Sequence, residues 1–362
     1  MYLNYQIQNE VREDLEAQVN NLKKINKYKR MRIIIPMAGW GSRLRPHTLT
    51  VPKPMLKIAG QSIVERLVSN ICKTVDQKID GISFIIRNDF GTTIEKELLA
   101  IAEKYNTTGH IFYQEEPLGT AHAIFCAQDT LQGPLIVGFA DTMFEADFRL
   151  DQESDAVIWV KQIEDPSAFG VIALDQNGLI NGFVEKPTTF VSDLAIIGIY
   201  YFKDGAKLRK DISHIIEKNI MDKGEFQLTT VLENMRIEGL KMRPGTVNQW
   251  LDCGNKNATV ESNREVLIKD ANKISTSAQI INSQIIPPCF VDEHVVIKNA
   301  IVGPYVSIGK DSIIEDCVIK EALIQDSTKI VNKILSNTMI GSKAVLIGKP
   351  EEYSLGDYSQ IQ

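Results

Sequence analysis

From residue 31 onward the chain alternates two kinds of apolar segment. Short apolar runs predict strands, and they come between segments whose apolar residues recur every three or four positions and therefore predict helices. The predicted strands are 31–36, 82–86, 110–114 and 135–139, and the predicted helices are 62–75, 93–105 and 120–130. Such alternation favours a Rossmann-like α/β fold, in which a mainly parallel sheet carries helices on both faces.

The pattern changes beyond residue 155. Four further predicted strands follow one another closely, at 156–161, 171–174, 182–185 and 194–202. Parallel strands need long crossover connections, whereas antiparallel strands can be joined by short turns. We therefore expect the sheet to become mixed and partly antiparallel in this region.

A six-residue period begins near residue 275. Aliphatic or aromatic residues recur with this spacing, with two shifts of phase, at Phe290, Val296, Val302, Ile308, Ile314, then Val318, Ile324, Ile330, and then Ile334, Ile340, Leu346. This period matches neither a helix nor an isolated hairpin. It is typical of a β-helix, in which each short face turns one aliphatic residue inward.

These patterns predict four segments along the chain. They are an amphipathic helical extension over residues 1–30, an α/β domain over 31–270, a β-helix over 275–350 and a tail over 351–362. Residues 1–30 are either an appendage or a segment that precedes a start at Met31, and the pattern leaves both open. No apolar core of a signal peptide is visible there.

Composition and charge exclude several classes of protein. The 40 Lys and Arg residues against 46 Asp and Glu residues give a net charge of −6, which argues against a general nucleic-acid binder but leaves room for a local basic pocket. The five cysteines are scattered and form no CxxC pair, so we expect a reducing compartment. The longest apolar uncharged run, 194–202, is about half a membrane span. We expect a cytoplasmic protein that binds neither nucleic acid nor membrane.

A glycine-rich turn directly follows the first predicted strand. It reads AGWGSRLRPHT over residues 38–48, and glycines such as Gly39 and Gly41 let a backbone approach a ligand closely and direct N–H groups at an anion. Two cations, Arg43 and Lys53, lie ten residues apart, and Lys53 stands between two prolines that restrict its loop. The third glycine of the dinucleotide fingerprint and the ending of a P-loop are both absent. The segment therefore predicts a phosphate site of another kind.

Together with VPKPML over residues 51–56, this string resembles the signature of the sugar-phosphate nucleotidyltransferases, G-x-G-x-R-L-x-P-x-T followed by P-K-P-[ML]-L. Members of that family join a nucleoside triphosphate to a sugar 1-phosphate and release pyrophosphate. The resemblance continues in order over residues 31–270. The six-residue repeat likewise resembles the short left-handed parallel β-helix that many members carry.

The resemblance implies a role for particular positions. It implies catalytic contacts with phosphate for Arg43 and Lys53, and magnesium ligation for Asp141 and Asp252. Nucleotide binding is implied for Ala38, Gly39, Gly41, Gln114, Gly119 and Thr120, with Gln114 reading a pyrimidine base. Sugar-phosphate binding is implied for Gly170, Glu185, Lys186 and Gly198. Two positions depart from the family pattern, because Ala140 replaces the glycine of G-D-x-x-F and Cys253 stands where Thr or Val is frequent.

Elementary chemistry supports these roles. Both substrates are anionic, so bringing them within bonding distance requires charge neutralisation and alignment rather than a covalent intermediate. Two carboxylates, Asp141 and Asp252, suit Mg²⁺, which prefers a few carboxylates together with water and phosphate. Lys186 can stabilise an oxyanion, and Glu185 can accept hydrogen bonds from sugar hydroxyls.

Several alternatives stay open. Gln114 favours dTTP or UTP, and the absence of an Asn in the sugar strand 195–199 favours glucose 1-phosphate over an N-acetyl sugar. Mannose-1-phosphate guanylyltransferases also carry an E-E-P-L-G-T-A string. A non-catalytic regulatory subunit of the same fold is a further alternative. An acyltransferase in the repeat is disfavoured because its one histidine, His294, lies outside any acyl-CoA signature, and we expect the repeat to support a homo-oligomer.

Overall fold

The computed structural model describes residues 30–75, 77–146, 153–270, 272–349, 351–352 and 354–360. The amphipathic helix predicted over residues 1–30 lies outside the described residues, except for Arg30, which begins a strand. The described chain divides into two compact units. The first contains the residues up to Trp40 together with Val64–Leu251, and the second contains Gly41–Ile63 and the residues from Asp252 onward. The domain boundaries given above stay predictions.

The strands are, in chain order, β1 (Arg30–Pro36), β2 (Lys57–Ile58), β3 (Gln61–Ser62), β4 (Lys78–Ile86), β5 (Thr108–Tyr113), β6 (Leu135–Gly138), β7 (Thr142–Glu145), β8 (Ala156–Gln162), β9 (Gly170–Leu174), β10 (Ile180–Glu185), β11 (Leu194–Phe202), β12 (Met242–Thr246), β13 (Gln249–Asp252), β14 (Lys273–Ile274), β15 (Gln279–Ile281), β16 (Gln284–Ile285), β17 (Cys289–Val291), β18 (Val296–Lys298), β19 (Ile301–Val302), β20 (Val306–Ile308), β21 (Ile313–Ile324), β22 (Lys329–Ile340) and β23 (Val345–Ile347). The α-helices are α1 (Ile63–Thr74), α2 (Gly91–Lys104), α3 (Thr120–Phe125), α4 (Gly205–Glu217), α5 (Leu228–Ile237) and α6 (Lys256–Asp270). Short 3-10 helices cover Ser42–Leu44, Lys53–Met55, Asn88–Phe90 and Gln128–Thr130.

The first unit is built on one mixed sheet. Its strand order is β10-β9-β11-β6-β1-β4-β5, with β8 beside β11 and β12 beside β8. The pairs β1–β4, β4–β5 and β1–β6 are parallel, whereas β6–β11, β8–β11 and β9–β10 are antiparallel. The predicted α/β sheet with a partly antiparallel extension is therefore confirmed. No helix of the described residues is long and apolar enough to cross a membrane.

One predicted helix is shorter than expected. The helix predicted over 120–130 ends at Phe125, and Gln128–Thr130 forms a 3-10 helix instead. The chain tightens because N–H groups bond to carbonyls three residues back, as Thr130 does to Ala127 at 2.9 Å. The Thr130 hydroxyl also donates to the Ala127 carbonyl at 2.7 Å, which competes with a longer α-helix.

In the second unit the strands β14 to β23 form a parallel sheet that coils as a β-helix does. Register pairs Val291 with Ile308, Ile308 with Ile324, and Ile324 with Ile340. One coil therefore takes 17 residues and the next two take 16 each. Aliphatic side chains stack in such columns and are buried together, so the predicted β-helix-like sheet is confirmed.

The strict six-residue phase is wrong at some positions. Val318 is 42% exposed and Ile334 is 84% exposed, whereas the neighbouring Ile319 is buried and Leu335 packs against the core. The predicted pattern places the inward aliphatic residue after Ile314 at Val318, four positions on, whereas the next buried aliphatic residue is Ile319, five positions on. At the start of the repeat, Phe290 and Val296 are partly buried, and the fully buried positions are their neighbours Val291 and Ile297.

Polar corner residues shape the coils. Asn282, Asn299, Asp316 and Asn332 have left-handed backbone angles, which Asn and Asp tolerate better than most residues. The Asn282 amide donates to the Asn299 side chain at 2.9 Å, and the Asn299 amide donates to Asp316 at 3.1 Å. These stacked bonds link successive coils at one corner.

Candidate active site

The beginning of the glycine-rich turn, up to Trp40, belongs to the first unit and follows β1. The Met37 N–H donates to the Ile85 carbonyl at 2.8 Å, so the turn begins beside the end of β4. Ala38 is buried, and a Cβ added at Gly39 would meet no atom within 4 Å. Open space therefore lies over Gly39, where a ligand can approach the backbone closely.

A cation that the sequence analysis missed lies beside this turn. The Arg87 guanidinium, just after β4, stands 3.2 Å from the ring centroid of Trp40. Asp89 accepts a hydrogen bond from Arg87 Nε at 2.9 Å, which orients the guanidinium. A Trp–Arg pair of this kind stabilises a cation on an aromatic face. Its only sequence signal is an Arg at a predicted strand end.

The predicted base-reading residue Gln114 directly follows β5 and is 8% exposed. Its side-chain Nε2 donates to the Gly119 carbonyl at 3.2 Å and lies 3.1 Å from Nδ1 of His122. Burial lowers the pKa of His122 below 6.5, which favours a neutral ring whose Nδ1 can accept. The structure thus brings Gln114 and Gly119 together and adds His122.

Gly119 stands at a close approach of two backbones. Its φ is +116°, and a Cβ there would lie 2.5 Å from the Phe226 carbonyl oxygen. The same oxygen accepts a hydrogen bond from the Ala121 N–H at 2.9 Å. Only glycine fits this position without displacing one of the two backbone segments.

The hydroxyl of Thr120 joins the beginnings of two helices, α3 and α5. It donates to the Gln227 side chain at 3.1 Å and accepts from the Leu228 N–H at 2.9 Å. An N–H at the first turn of a helix otherwise lacks a partner, so this contact caps α5. The hydroxyl of this predicted nucleotide-binding residue therefore makes its hydrogen bonds within the protein.

Two residues predicted to bind sugar phosphate face each other across β9 and β10. Register pairs Gly170 with Glu185, and a Cβ at Gly170 would lie 3.1 Å from Glu185 Oε2. The same oxygen accepts a hydrogen bond from the Thr229 hydroxyl at 3.2 Å. The carboxylate is therefore held over the glycine backbone. Thr229, on α5, gave no signal in the sequence.

Lys186 has an unusual backbone for a non-glycine residue, with φ +43°. Its N–H donates to the Phe169 carbonyl at 3.1 Å, and its Nζ lies 3.7 Å from Glu185 Oε1. A second lysine supports this strand end, because Lys223 Nζ donates to the carbonyls of Glu185 at 2.8 Å and Lys186 at 3.0 Å. Sequence reasoning missed Lys223, which lies on a distant loop.

Gly198 contacts Phe139, and Asp141 acts on the buried phenol of Tyr200. Gly198 has φ +84° at a break in the β8–β11 register, and its carbonyl accepts the Phe139 N–H at 3.0 Å. Asp141 is exposed just before β7. The pKa of the buried Tyr200 is raised, first by burial and then by the carboxylates of Glu185 and Asp141. Both carboxylates therefore disfavour the ionised form of the Tyr200 hydroxyl.

The second unit contains the signature cations. The Gly41 carbonyl accepts the Thr48 hydroxyl at 2.8 Å, and a Cβ at Gly41 would lie 3.1 Å from the Lys53 Cβ. Thr48 and Lys53 therefore both pack against Gly41. Lys53 is 7% exposed, whereas Arg43 lies exposed on the 3-10 helix Ser42–Leu44.

Asp252 is the last residue of β13, and its carboxylate is fixed by the turn that follows. Its Oδ1 accepts the Gly254 N–H at 2.9 Å, and its carbonyl accepts the Ser262 hydroxyl at 2.9 Å. A Cβ at Gly254 would lie 2.9 Å from Oδ2, so the glycine makes room for the carboxylate. Cys253 is fully buried.

A metal site formed by protein alone is absent from the described part of the chain. No group of three His, Cys, Asp or Glu side chains there is placed to hold an ion. The donor chemistry nevertheless fits Mg²⁺, because this ion is commonly held by one or two carboxylates, with water and substrate phosphate completing its shell. The exposed carboxylate of Asp141 meets that requirement.

Comparison with known proteins agrees with the signature. The family model described as nucleotidyl transferase matches residues 32–269. The bifunctional protein GlmU of Methanocaldococcus jannaschii is 30% identical over 75% of this chain and 60% of its own length. The chain thus spans about three fifths of such bifunctional relatives.

Other relatives differ in how much of their length and of this chain they match. Glucose-1-phosphate thymidylyltransferase of Streptomyces antibioticus is 24% identical over 92% of this chain and 99% of its own length. Mannose-1-phosphate guanylyltransferase catalytic subunit beta of Drosophila melanogaster is 31% identical over 62% of this chain and 59% of its own. A solved nucleoside-diphosphate-sugar pyrophosphorylase from Vibrio cholerae superposes with a TM-score of 0.54, covering 64% of this chain and 99% of that chain. At 21% identity this last likeness concerns the fold alone.

Proposed function

Because the chain belongs to the nucleotidyl transferase family, we propose that it transfers the nucleotidyl group of dTTP or UTP to glucose 1-phosphate, giving a nucleoside-diphosphate sugar and pyrophosphate. The observation that carries the preference for uracil or thymine over cytosine is the fixed amide of Gln114. Both of its N–H groups point at protein acceptors, the Gly119 carbonyl and His122 Nδ1. Its Oε1 can then accept the N3–H of uracil or thymine, which cytosine lacks.

The proposed reaction is an in-line displacement. An oxygen of the sugar phosphate attacks the α-phosphorus, a new P–O bond forms, and the bond to the bridging oxygen of pyrophosphate breaks. Negative charge grows on the leaving oxygens, so fixed positive charge stabilises the transition state more than the ground state. We assign this role to Lys53 and Arg43. Burial of Lys53 supports the assignment, because a charge acts more strongly when water is largely excluded.

Backbone groups are proposed to bind the nucleotide. Gly39 and Gly41, with Ala38, would donate N–H groups to the nucleotide along the turn. The open space over Gly39 supports close approach of a ligand to that turn. Gly119 would lie beside the base. The hydroxyl of Thr120 is committed to α5, so we assign it a positioning role through Gly119 rather than a direct contact.

The sugar phosphate is proposed to bind at the ends of β9, β10 and β11. Glu185 would accept hydrogen bonds from sugar hydroxyls, Lys186 would contact the phosphate, and Gly170 and Gly198 would leave room for the ring. The strand segment Ala195–Ile199 presents no side-chain amide for an N-acetyl group, which supports glucose over an N-acetyl sugar.

Magnesium is the metal that the family implies. When bound, it would neutralise phosphate charge and align the reacting groups. Asp141 is our proposed protein ligand in the first unit, and the resemblance gives the same role to Asp252 in the second. Both residues leave further coordination positions to water and phosphate oxygens.

A pyrophosphate-release screen tests the proposal. Each nucleoside triphosphate, dTTP included, is paired with glucose, mannose, galactose and N-acetylglucosamine 1-phosphates in the presence of Mg²⁺. We expect the highest kcat/KM for dTTP or UTP with glucose 1-phosphate. GTP with mannose 1-phosphate as the best pair would favour the second candidate, which the 31% identical guanylyltransferase subunit supports. Release of pyrophosphate from no pair would overturn the proposal and favour a regulatory subunit.

A further inference from the structure

A small hairpin follows the proposed catalytic lysine almost immediately. β2 begins four residues after Lys53, and the Leu56 N–H donates to the Lys53 carbonyl at 3.1 Å. Ala59 and Gly60 turn the hairpin with φ values of +46° and +81°, both in the left-handed region, as the tight primed turns require. The backbone of Lys53 is therefore coupled to β2 through one short 3-10 turn.

A single side-chain amide of the coiled sheet, that of Gln325, forms two hydrogen bonds to this hairpin. Gln325 Nε2 donates to the Lys57 carbonyl at 2.9 Å, and the Lys57 N–H donates to Gln325 Oε1 at 3.2 Å. One amide thus satisfies both backbone polar groups of one residue, as a neighbouring strand would. Beside it, Lys57 Nζ lies 2.6 Å from Asp326 Oδ2.

The backbone of Gln325 is itself fixed by hydrogen bonds. Gln325 is 6% exposed and directly follows β21. Its N–H donates to the Ile340 carbonyl at 2.9 Å, and its carbonyl accepts the Thr328 hydroxyl at 2.9 Å. Ile340 belongs to the next coil and Thr328 to the turn that directly follows Gln325, so the Gln325 backbone cannot shift without disturbing the ladder of the coiled sheet.

A second contact fixes the tip of the hairpin. The Phe290 ring lies so close to Gly60 that a Cβ there would be 2.3 Å from Phe290 Cζ. Phe290 stands on β17, which pairs with β20, and β20 in turn pairs with the end of β21 that Gln325 directly follows. The hairpin is therefore restrained at its base by Gln325 and Asp326 and at its tip by Phe290.

We propose that Gln325 and Asp326 are positioning residues for Lys53, so that the coiled sheet is part of the catalytic apparatus rather than a separate module. The proposal rests on the role of Lys53 proposed above. A catalytic cation must be held to about 0.5 Å, and a shift of about 1 Å can lower turnover by about 10²-fold. Gln325 restrains the backbone four residues from Lys53, and Lys53 in turn packs against Gly41.

Steady-state kinetics of Gln325→Ala and Asp326→Asn in the full chain tests this. We expect kcat to fall about 10- to 100-fold for Gln325→Ala and less for Asp326→Asn, with the KM of each substrate within about threefold of the original. A reversed pair, Lys57→Asp with Asp326→Lys, should recover part of the kcat that either single change loses. Glu315→Gln is the matched control, because it removes an ion pair to Lys298, 2.7 Å long, between two neighbouring coils. Its kcat should be unchanged.

Hydrogen exchange of the backbone over residues 51–62 gives an independent measurement. Gln325→Ala should speed exchange at Lys57 and towards Lys53, whereas Glu315→Gln should not. If Gln325→Ala does not fold, Asp326→Asn and the reversed pair give the same comparison. If the unchanged protein is active and the Gln325 and Asp326 variants have the same kcat as the control, the inference is overturned and the proposed function stands. Unchanged protein that releases no pyrophosphate from any substrate pair overturns the proposed function, and the inference with it.

Discussion

The side-chain nitrogen of Gln114 lies 3.1 Å from Nδ1 of His122. The same nitrogen donates to the Gly119 carbonyl at 3.2 Å, so both amide hydrogens have protein acceptors. This arrangement requires a neutral His122 whose Nδ1 carries no proton. His122 and the Gly119 carbonyl therefore fix the orientation of the Gln114 amide.

Base recognition should depend on pH through His122. Its pKa lies below 6.5 because the ring is partly buried, so the ring is neutral at pH 7.5 and gains a proton as the pH falls through that pKa. A protonated Nδ1 would face the amide donors of Gln114 and favour a turned amide. We expect the KM for dTTP or UTP to rise by about tenfold on acidification below pH 6.5, the value of one hydrogen bond.

The control is His122→Asn, whose side-chain oxygen can accept from Gln114 but does not titrate. Its KM for the triphosphate should stay flat between pH 8 and pH 5.5. An equal rise of KM in His122→Asn and in the unchanged protein would show that another group is responsible.

Lys53 should be required for turnover and not for folding. Lys53→Met keeps most of the buried aliphatic stem and removes the charge. We expect kcat to fall by about 10²-fold or more, the scale of losing one electrostatic contact to the transition state, with little change in Tm. The exposed Lys96→Met serves as the matched control. Near-normal turnover of Lys53→Met would exclude Lys53 as the catalytic cation.

Metal dependence should follow Asp141. Chelation with EDTA is expected to abolish pyrophosphate release, and added Mg²⁺ should restore it. Asp141→Asn should need a much higher Mg²⁺ concentration and should lower kcat by about 10²-fold at saturating substrate. Asp129→Asn, an exposed aspartate on a 3-10 helix, is the control. Activity that survives chelation in the unchanged protein contradicts the assignment.

The structure explains which parts of the site a sequence can predict. Gln114, Gly119 and Asp141 directly follow predicted strands or belong to local motifs, so pattern and motif point to them. Thr229 gave no such signal, and the only signal of Arg87 is its place after a predicted strand, with no motif around it. They come close to Trp40 and Glu185 only through the tertiary fold.

The coiled sheet shows the same limit. A six-residue period predicted its architecture, but the inward residues Ile319 and Leu335 each stand one position after the residue that the period predicts, which depends on corner geometry that no period records. The contact of Gln325 with Lys57 spans 268 residues, and it depends on the phase of that coil. Long-range partners of this kind are fixed by packing rather than by local preference.

Gly119 should contribute to the stability of the fold as well as to binding. An alanine there would adopt φ +116° and place its Cβ 2.5 Å from the Phe226 carbonyl oxygen. We expect Gly119→Ala to lower the free energy of unfolding by at least about 1–3 kcal/mol, measured by denaturant titration. Gly39→Ala is the matched control, since its Cβ would meet nothing within 4 Å. It should keep its stability while the KM of the triphosphate rises, and equal losses of stability in both variants would refute this distinction.

Glu185 should act on one substrate only. Its Oε2 accepts the Thr229 hydroxyl and lies over Gly170, which fixes the carboxylate as an acceptor for sugar hydroxyls. A hydrogen bond to a charged group contributes about 1.5–3 kcal/mol, so Glu185→Gln should raise the KM for glucose 1-phosphate by roughly 10- to 100-fold. The KM for the triphosphate should not change, because Gln114 and the glycine-rich turn are untouched. Thr229→Val should produce a smaller rise in the same direction, since it only loosens the carboxylate, and the exposed Glu164→Gln should produce none. Steady-state titration of each substrate measures all three variants, and a parallel rise of both KM values in Glu185→Gln would mean that Glu185 supports the fold of the site rather than recognising the sugar.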